Sequence, residues 1–202
     1  MYFEDMTNSE RLDSLLQANK GFLRTSDAVA VGVSRMALGD FVRRRGLERV
    51  AHGIYASRDA WNDGFFVIQA RYPKAVFSHE TALYLLNLAS REPSPFSVTL
   101  RTGTNTARLS REGIKVYKVR DALFETGVIE VSSPSGHTVR AYNAERTICD
   151  LFRSRRNIET QDLQAAIKDY LRMKGRNIPL LMRYAASFSV DKLIRQYVEV
   201  LL

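Results

Sequence analysis

The first part of the chain contains three stretches with the apolar spacing of helices. Leu12, Leu15 and Leu16 form one stripe within residues 9–19, because positions i, i+3 and i+4 share a helix face. Two further helices are predicted over residues 26–30 and 35–45, on either side of a turn that contains Gly32. A short helix, a tight turn and a longer helix in this order predict a helix-turn-helix.

The spacing of apolar residues changes after Gly46. Residues 47–51 and 54–55 have the short alternating pattern of two strands, and His52 and Gly53 lie at the turn between them. A β-hairpin that directly follows the second helix of a helix-turn-helix is a wing. We therefore predict a winged helix-turn-helix over residues 1–58.

The remaining residues, 59–202, predict a mixed α/β domain. Helices are expected over 64–72 and 79–88, and strands over 75–77, 96–101, 114–119, 128–131 and 138–142, with a polar loop over 102–108. The strand at 96–101 alternates as a half-buried strand does. After Asn143 helical spacing returns in four segments. Trp61 and the helix at 64–72 are expected to pack the two parts together. The predicted fold class is α+β: an N-terminal winged helix-turn-helix plus a C-terminal mixed α/β domain with a small sheet and a helical C-terminal half.

Charge adds a partner to this picture. The formal net charge is +8 and the pI about 9.8, which favours a polyanionic partner, nucleic acid before an anionic membrane surface. Between Arg24 and Arg58, seven arginines stand against three acidic residues, a surplus of four. The planar fork of arginine fits both phosphate and guanine edges. We expect double-stranded DNA to bind the winged helix.

Each part of the predicted motif has an expected contact. The start of the helix at 35–45 enters the major groove, phosphates meet its basic end and the start of the preceding helix, and the wing reaches the backbone or the adjacent minor groove. The expected base-edge residues are Ser34, Arg35 and Met36; the phosphate-binding residues are Arg43, Arg44, Arg45, Thr25 and Ser26; the wing residues are Arg49 and His52. The three consecutive arginines have an alternative role as a solvated helix end stabilised by the helix dipole.

A second basic cluster lies in the C-terminal half. Its members are Arg153, Arg155, Arg156, Lys168, Arg172, Lys174 and Arg176. It is either a solvated face or a second surface for nucleic acid or a partner.

Residue types that support catalysis occur without a catalytic pattern. Ser78, His79 and Glu80 are adjacent, and neighbouring residues at a helix start are not expected to face one another, so Ser78 is interpreted as a helix cap. Cys149 lies on an apolar helix face and is expected to be a buried structural residue. The histidines lack metal-ligand spacing. We therefore expect no enzyme, no metal and no cofactor.

The acidic N-terminus has no secretory signal pattern, and no apolar run is long enough for a membrane span. The expected location is the cytoplasm.

Three motifs together give the chain a family resemblance. Gly32-Val33-Ser34, Gly46-Leu47-Glu48-Arg49-Val50 and Gly53-Ile54-Tyr55 form the first, and residues 77–83 (FSHETAL) and 144–151 (AERTICDL) form the other two. With these motifs in this order, the chain resembles the AbiEi-type antitoxins of type IV toxin–antitoxin systems.

The resemblance implies two activities. The winged helix would repress the antitoxin–toxin operon by binding repeated promoter sites, with several copies cooperating. The C-terminal domain, residues 59–202, would counter a nucleotidyltransferase-like toxin without a stable complex. The family supplies no catalytic residues that carry over to this sequence. The alternative is a winged-helix regulator whose larger domain senses a ligand or dimerises.

Overall fold

The computed structural model describes residues 6–60 and 63–201, and its chain divides into two units. One contains the described residues up to Pro73 together with Ser133–His137, and the other contains Lys74–Ser132 and the residues from Thr138 onward. The first unit thus extends beyond residue 58, since it includes the helix that follows the wing. Trp61, expected to pack the two parts together, lies outside the described residues.

The first unit is a winged helix, as predicted. Its elements are α1 (Asn8–Ala18), β1 (Phe22–Arg24), α2 (Thr25–Ala30), α3 (Arg35–Arg45), β2 (Glu48–Ala51), β3 (Ile54–Ala56) and α4 (Gly64–Arg71). The three strands form an antiparallel sheet in the order β1-β3-β2. Strand β1 was not predicted, because Phe22–Arg24 becomes a strand only by pairing with β3, some thirty residues further along the chain.

Local capping sets the ends of the recognition helix α3. The Ser34 hydroxyl accepts a hydrogen bond from the Ala37 amide (3.2 Å), and Gly46 ends the helix with φ of 61°, a left-handed conformation that glycine adopts without steric cost. Arg24 occupies the N-cap position of α2 without a side-chain bond, and Thr25 is already helical.

A buried polar group connects Ser133–His137 with the rest of the first unit. The Asp63 carboxylate accepts hydrogen bonds from Ser133 Oγ and His137 Nδ1, each at 2.6 Å. The His137 ring lies against the rings of Phe22 and Phe66, with centroids 4.8 and 4.7 Å apart. These residues therefore contribute both hydrogen bonds and apolar packing to the core of this unit.

The second unit has a five-stranded mixed sheet in the order β6-β5-β4-β8-β7. Its elements are β4 (Val76–Phe77), α5 (His79–Leu85), β5 (Ser97–Arg101), α6 (Ala107–Arg111), β6 (Lys115–Val119), α7 (Asp121–Phe124), β7 (Val128–Ser132), β8 (Thr138–Tyr142), α8 (Ala144–Arg153), α9 (Thr160–Arg172), α10 (Ile178–Ser187) and α11 (Asp191–Leu201). The predicted α+β class, with a helical C-terminal half, is confirmed.

Two predictions for this unit were wrong in detail. The polar stretch at 102–108 was expected to be a loop, but its end begins the short helix α6. Strand β5 was expected to be half-buried, yet Ser97 and Thr99 are as buried as its apolar residues. Their hydroxyls donate hydrogen bonds to Glu80 (3.1 Å) and Ser78 (2.9 Å), and a buried hydroxyl is tolerated when it is hydrogen-bonded.

Four helices supply much of the second unit's core. Ile148 of α8, Ile167 of α9, Leu181 of α10 and Ile194 of α11 are fully buried in one cluster. No helix in the described part of the chain is both long and apolar enough to cross a membrane.

Candidate nucleic-acid interface

The recognition helix and the wing border a basic groove in the first unit. The groove has a volume of about 530 Å³, and its walls are Arg24, Thr25, Ser26, Arg35, Leu38, Arg49, His52, Gly53, Ile54 and Tyr55. Five of the predicted DNA-binding residues therefore line a single groove: Thr25, Ser26, Arg35, Arg49 and His52. The groove also contains Arg24, which was counted in the arginine surplus but was not expected to be a site residue.

The N-terminal turn of α3 presents its side chains to solvent. Ser34, Arg35 and Met36 are all exposed, and Met36 is 80% exposed. Because the Ser34 oxygen already caps the helix, this side chain can still offer its hydroxyl hydrogen to a partner. Arg35 lines the groove, and the fork of an arginine at this place can reach a base edge or a phosphate.

The three arginines at the end of α3 differ in their partners. Arg43 forms an ion pair with Asp40 on the same helix. Arg45 forms one with Asp13 of α1 and lies over the Phe41 ring, 5.7 Å from its centroid. Arg44 is exposed and has no acidic partner in the described residues. It is thus the member of the triplet that is free to meet a phosphate without first losing a carboxylate.

The wing is held by side-chain and backbone bonds. Arg49 donates to His52 Nδ1 (2.9 Å) and to the Ala51 carbonyl (3.3 Å), across a β-bulge between Arg49 and Ala51. The Thr25 amide donates to the Gly53 carbonyl (2.8 Å). Thr25 was expected to help cap a phosphate; because its amide is already bonded, Thr25 can reach an anion only through its hydroxyl.

The second basic cluster consists of two separate groups. Arg153, Arg155 and Arg156 lie at the end of α8 and in the turn that follows it, whereas Lys168, Arg172, Lys174 and Arg176 lie in the last part of α9 and beyond. The thirteen residues of α9 span about 20 Å at 1.5 Å per residue. All seven side chains are exposed.

His79 occupies a buried polar centre in the second unit. Its Nδ1 lies 3.0 Å from Ser78 Oγ and its Nε2 2.9 Å from Ser154 Oγ. The expectation that Ser78 and His79 cannot face one another was wrong, because His79 has a φ of 52°. Ser78 does not cap the helix with its side chain. Glu80 binds Ser97 and Lys115 instead of the imidazole.

The surroundings of His79 favour a neutral ring. The ring is stacked on Tyr117 with centroids 3.4 Å apart. Burial, with the nearby cations Lys115, Arg153 and Arg146, holds the pKa of His79 well below its usual value.

The motif at 144–151 forms a buried ion pair. Arg146 is completely buried and donates to Asp150 (3.0 Å) and to the carbonyls of Leu123 and Thr126. Its guanidinium also lies about 4 Å from the Tyr142 and Phe188 ring centroids.

Cys149, in the same motif, is buried as predicted, and burial raises its pKa to about 12. Arg146 and Asp150, the ion pair of this motif, are likewise buried in the core of the second unit. In the described residues, no group of three or more His, Cys, Asp and Glu side chains is arranged to hold a metal ion.

Comparison with known proteins supports the resemblance seen in the sequence. Residues 10–58 match the family model described as "Transcriptional regulator, AbiEi antitoxin", and this match supports a regulatory and antitoxin role. No curated protein matches the chain. Among solved structures, the crystal structure of RV2827C protein from Mycobacterium tuberculosis has a similar fold, with a TM-score of 0.54 and 14% identity over 92% of this chain and 77% of that one. At this identity the likeness shows the fold alone.

Proposed function

We propose that the winged helix binds double-stranded DNA in the promoter of its own operon and represses transcription. The observation that carries this proposal is the groove between recognition helix and wing, at which Arg24, Arg35 and Arg49 converge. The groove lies within the segment that matches the AbiEi regulator family. A groove lined by one sign of charge attracts a polyanion.

The contacts divide between base reading and positioning. Ser34, Arg35 and Met36 at the start of α3 are exposed and suited to base edges in the major groove. Arg44 and Arg24 are suited to phosphates, and Arg49 and His52 of the wing to the backbone beside the groove. Arg43 and Arg45 bind phosphate only after leaving Asp40 and Asp13. Phosphate contacts fix the register, whereas base contacts select the sequence.

The second unit, in this proposal, supplies the antitoxic activity. Its target is a nucleotidyltransferase-like toxin that is encoded beside it and is countered without a stable complex, and several copies of the chain occupy repeated promoter sites. These features rest on the resemblance to AbiEi antitoxins, which the match over residues 10–58 supports. The protein acts in the cytoplasm and not as an enzyme.

A gel-shift titration tests the regulatory half. The chain is titrated against the DNA upstream of its own gene and against unrelated DNA, at two salt concentrations. We expect tight, selective and salt-sensitive binding, since phosphate contacts release counterions. Arg35→Ala should weaken binding and reduce selectivity, by about 1–3 kcal/mol if the arginine is bidentate to guanine. Arg195→Ala, on the exposed face of α11, is the matched control. Equal, weak binding to both DNAs would refute the proposal.

A growth assay tests the antitoxin half. The neighbouring toxin gene is expressed with and without this chain, and growth should recover only when the chain is present. Affinity capture of the toxin should then return no stable complex. Absence of recovery, with promoter binding intact, would favour a regulator whose second unit senses a ligand or dimerises.

A further inference from the structure

Gly39 is a glycine in the middle of the recognition helix that the fold itself does not require. A Cβ built on this residue meets no atom within 4 Å, and its φ is not positive. By contrast, a Cβ on Gly21 would lie 2.4 Å from Ser57 Oγ, and one on Gly127 would lie 2.7 Å from Arg146 Cβ. Because glycine destabilises a helix interior relative to alanine, Gly39 has a cost that no internal contact offsets.

The position of Gly39 places it on the face expected to meet DNA. Residues three and four apart share a helix face, so Gly39 lies beside Arg35, Met36 and Arg43. Leu38 and Phe41 point away from this face and are buried. Next to the bare backbone of Gly39, Met36 keeps an apolar side chain 80% exposed. An open glycine and an exposed methionine therefore adjoin each other on a surface that is otherwise polar and basic.

We propose that Gly39 is the point of closest approach between α3 and the base pairs of the major groove, and that Met36 and the Gly39 backbone enclose the C5-methyl group of a thymine. This inference rests on the proposed DNA-binding function. The major groove is about 12 Å wide and a helix with side chains is about 10–12 Å across. At a residue that faces the base pairs, the helix backbone can therefore come closer to them when that residue has no side chain.

The chemistry of the neighbours favours a base methyl over a phosphate. The thymine methyl is the apolar group that bases present in the major groove, and it matches the thioether chain of Met36. A phosphate at the same place would lie next to that apolar chain and close to the Asp40 carboxylate. Arg35, one helical turn from Gly39, is long enough to reach a polar partner at the groove edge.

The first test is Gly39→Ala, measured for both thermal stability and affinity for the upstream DNA. Stability should rise, because alanine favours the helix and its methyl group has room. Affinity should fall about tenfold, within the range caused by one wrong base pair. Gly175→Ala is the control, because Gly175 also has open space and no positive φ but lies in the second unit. Unchanged affinity of Gly39→Ala, in an assay where the wild type selects its own DNA, would overturn the inference while leaving the proposed function intact.

The second test removes single thymine methyl groups from the DNA. Uracil replaces each thymine of the bound DNA site in turn, and this substitution changes only the methyl group. Wild-type affinity should fall at one or two positions, and Met36→Ala should show no such fall there. If no uracil substitution affects the wild type, or if Met36→Ala remains equally sensitive, the thymine contact is wrong. If the wild type does not select the upstream DNA at all, the proposed function itself fails.

Discussion

The three consecutive arginines at the end of α3 should contribute unequally to DNA binding. Arg44 has no acidic partner in the described part of the chain, whereas Arg45 is paired with Asp13 of α1. We therefore compare Arg44→Ala with Arg45→Ala, two identical substitutions at adjacent positions. The first removes a guanidinium that is free for a phosphate. The second removes one whose charge is already balanced by a carboxylate.

The size of the difference follows from counterion release. Each phosphate contact contributes about 0.9 to the slope of log affinity against log salt. Between 50 and 200 mM salt, a fourfold change, one contact therefore alters affinity by about 3.5-fold. Arg44→Ala should reduce the slope by about 0.9. Arg45→Ala should reduce it by less than half of that value. Arg45→Ala should instead lower the stability of the winged helix slightly, by about 0.2–1 kcal/mol, since the ion pair is partly exposed.

Fluorescence anisotropy with the labelled upstream DNA, at four or more salt concentrations, measures both slopes. Asp13→Asn is a further control, because it releases Arg45 and should steepen the slope. If Arg45→Ala flattens the slope as much as Arg44→Ala does, the ion pair does not withhold Arg45 from DNA, and the reasoning is refuted.

Two further predictions concern the second unit. Arg146→Met should destabilise the protein by about 3–5 kcal/mol in urea unfolding, because it deprives the buried Asp150 carboxylate of its main partner. The double variant Arg146→Met with Asp150→Leu should recover part of this loss. A double variant as unstable as Arg146→Met would contradict the ion-pair account. For His79, the folded-state pKa lies below the unfolded value of about 6.5, so the unfolded state binds more protons. The free energy of unfolding should therefore decrease as pH falls below about 6.5, by up to about 1.4 kcal/mol per pH unit. His79→Asn, which tolerates the positive φ, should remove that part of the pH dependence between pH 6.5 and 5, and identical curves for the two proteins would show that His79 does not cause it.

The winged helix could be predicted because its signals are local. Ser34 caps α3 through a contact three residues away, and Gly46 ends the same helix with a conformation typical of glycine. The arginine surplus lies within the same segment. Strand β1 escaped prediction because only its pairing with β3 makes Phe22–Arg24 a strand. Arg24 was missed as a site residue for a related reason: its place in the groove depends on how that strand joins α2.

The buried polar residues of the second unit could not be predicted from periodicity. Thr99 alternates with apolar residues as if it faced water, yet it is buried and bonded to Ser78, twenty-one positions earlier. His79 faces Ser78 only because of its positive φ, and no local pattern predicts this conformation. Arg146 and Asp150 lie one helical turn apart, as a surface pair would, and only the packing of Tyr142 and Phe188 around them shows that they are in the core.

The first unit consists of two separate segments of the chain, and this limits where the chain can be truncated. A fragment that ends at Pro73 keeps every strand and helix of the winged helix but loses Ser133 and His137. The Asp63 carboxylate then loses both of these hydrogen bonds, and the rings of Phe22 and Phe66 lose the imidazole that packs on them. Deletion mapping would record the damaged fragment as evidence that DNA binding needs the second half of the protein. Point substitutions in the intact chain separate the two activities without this artefact.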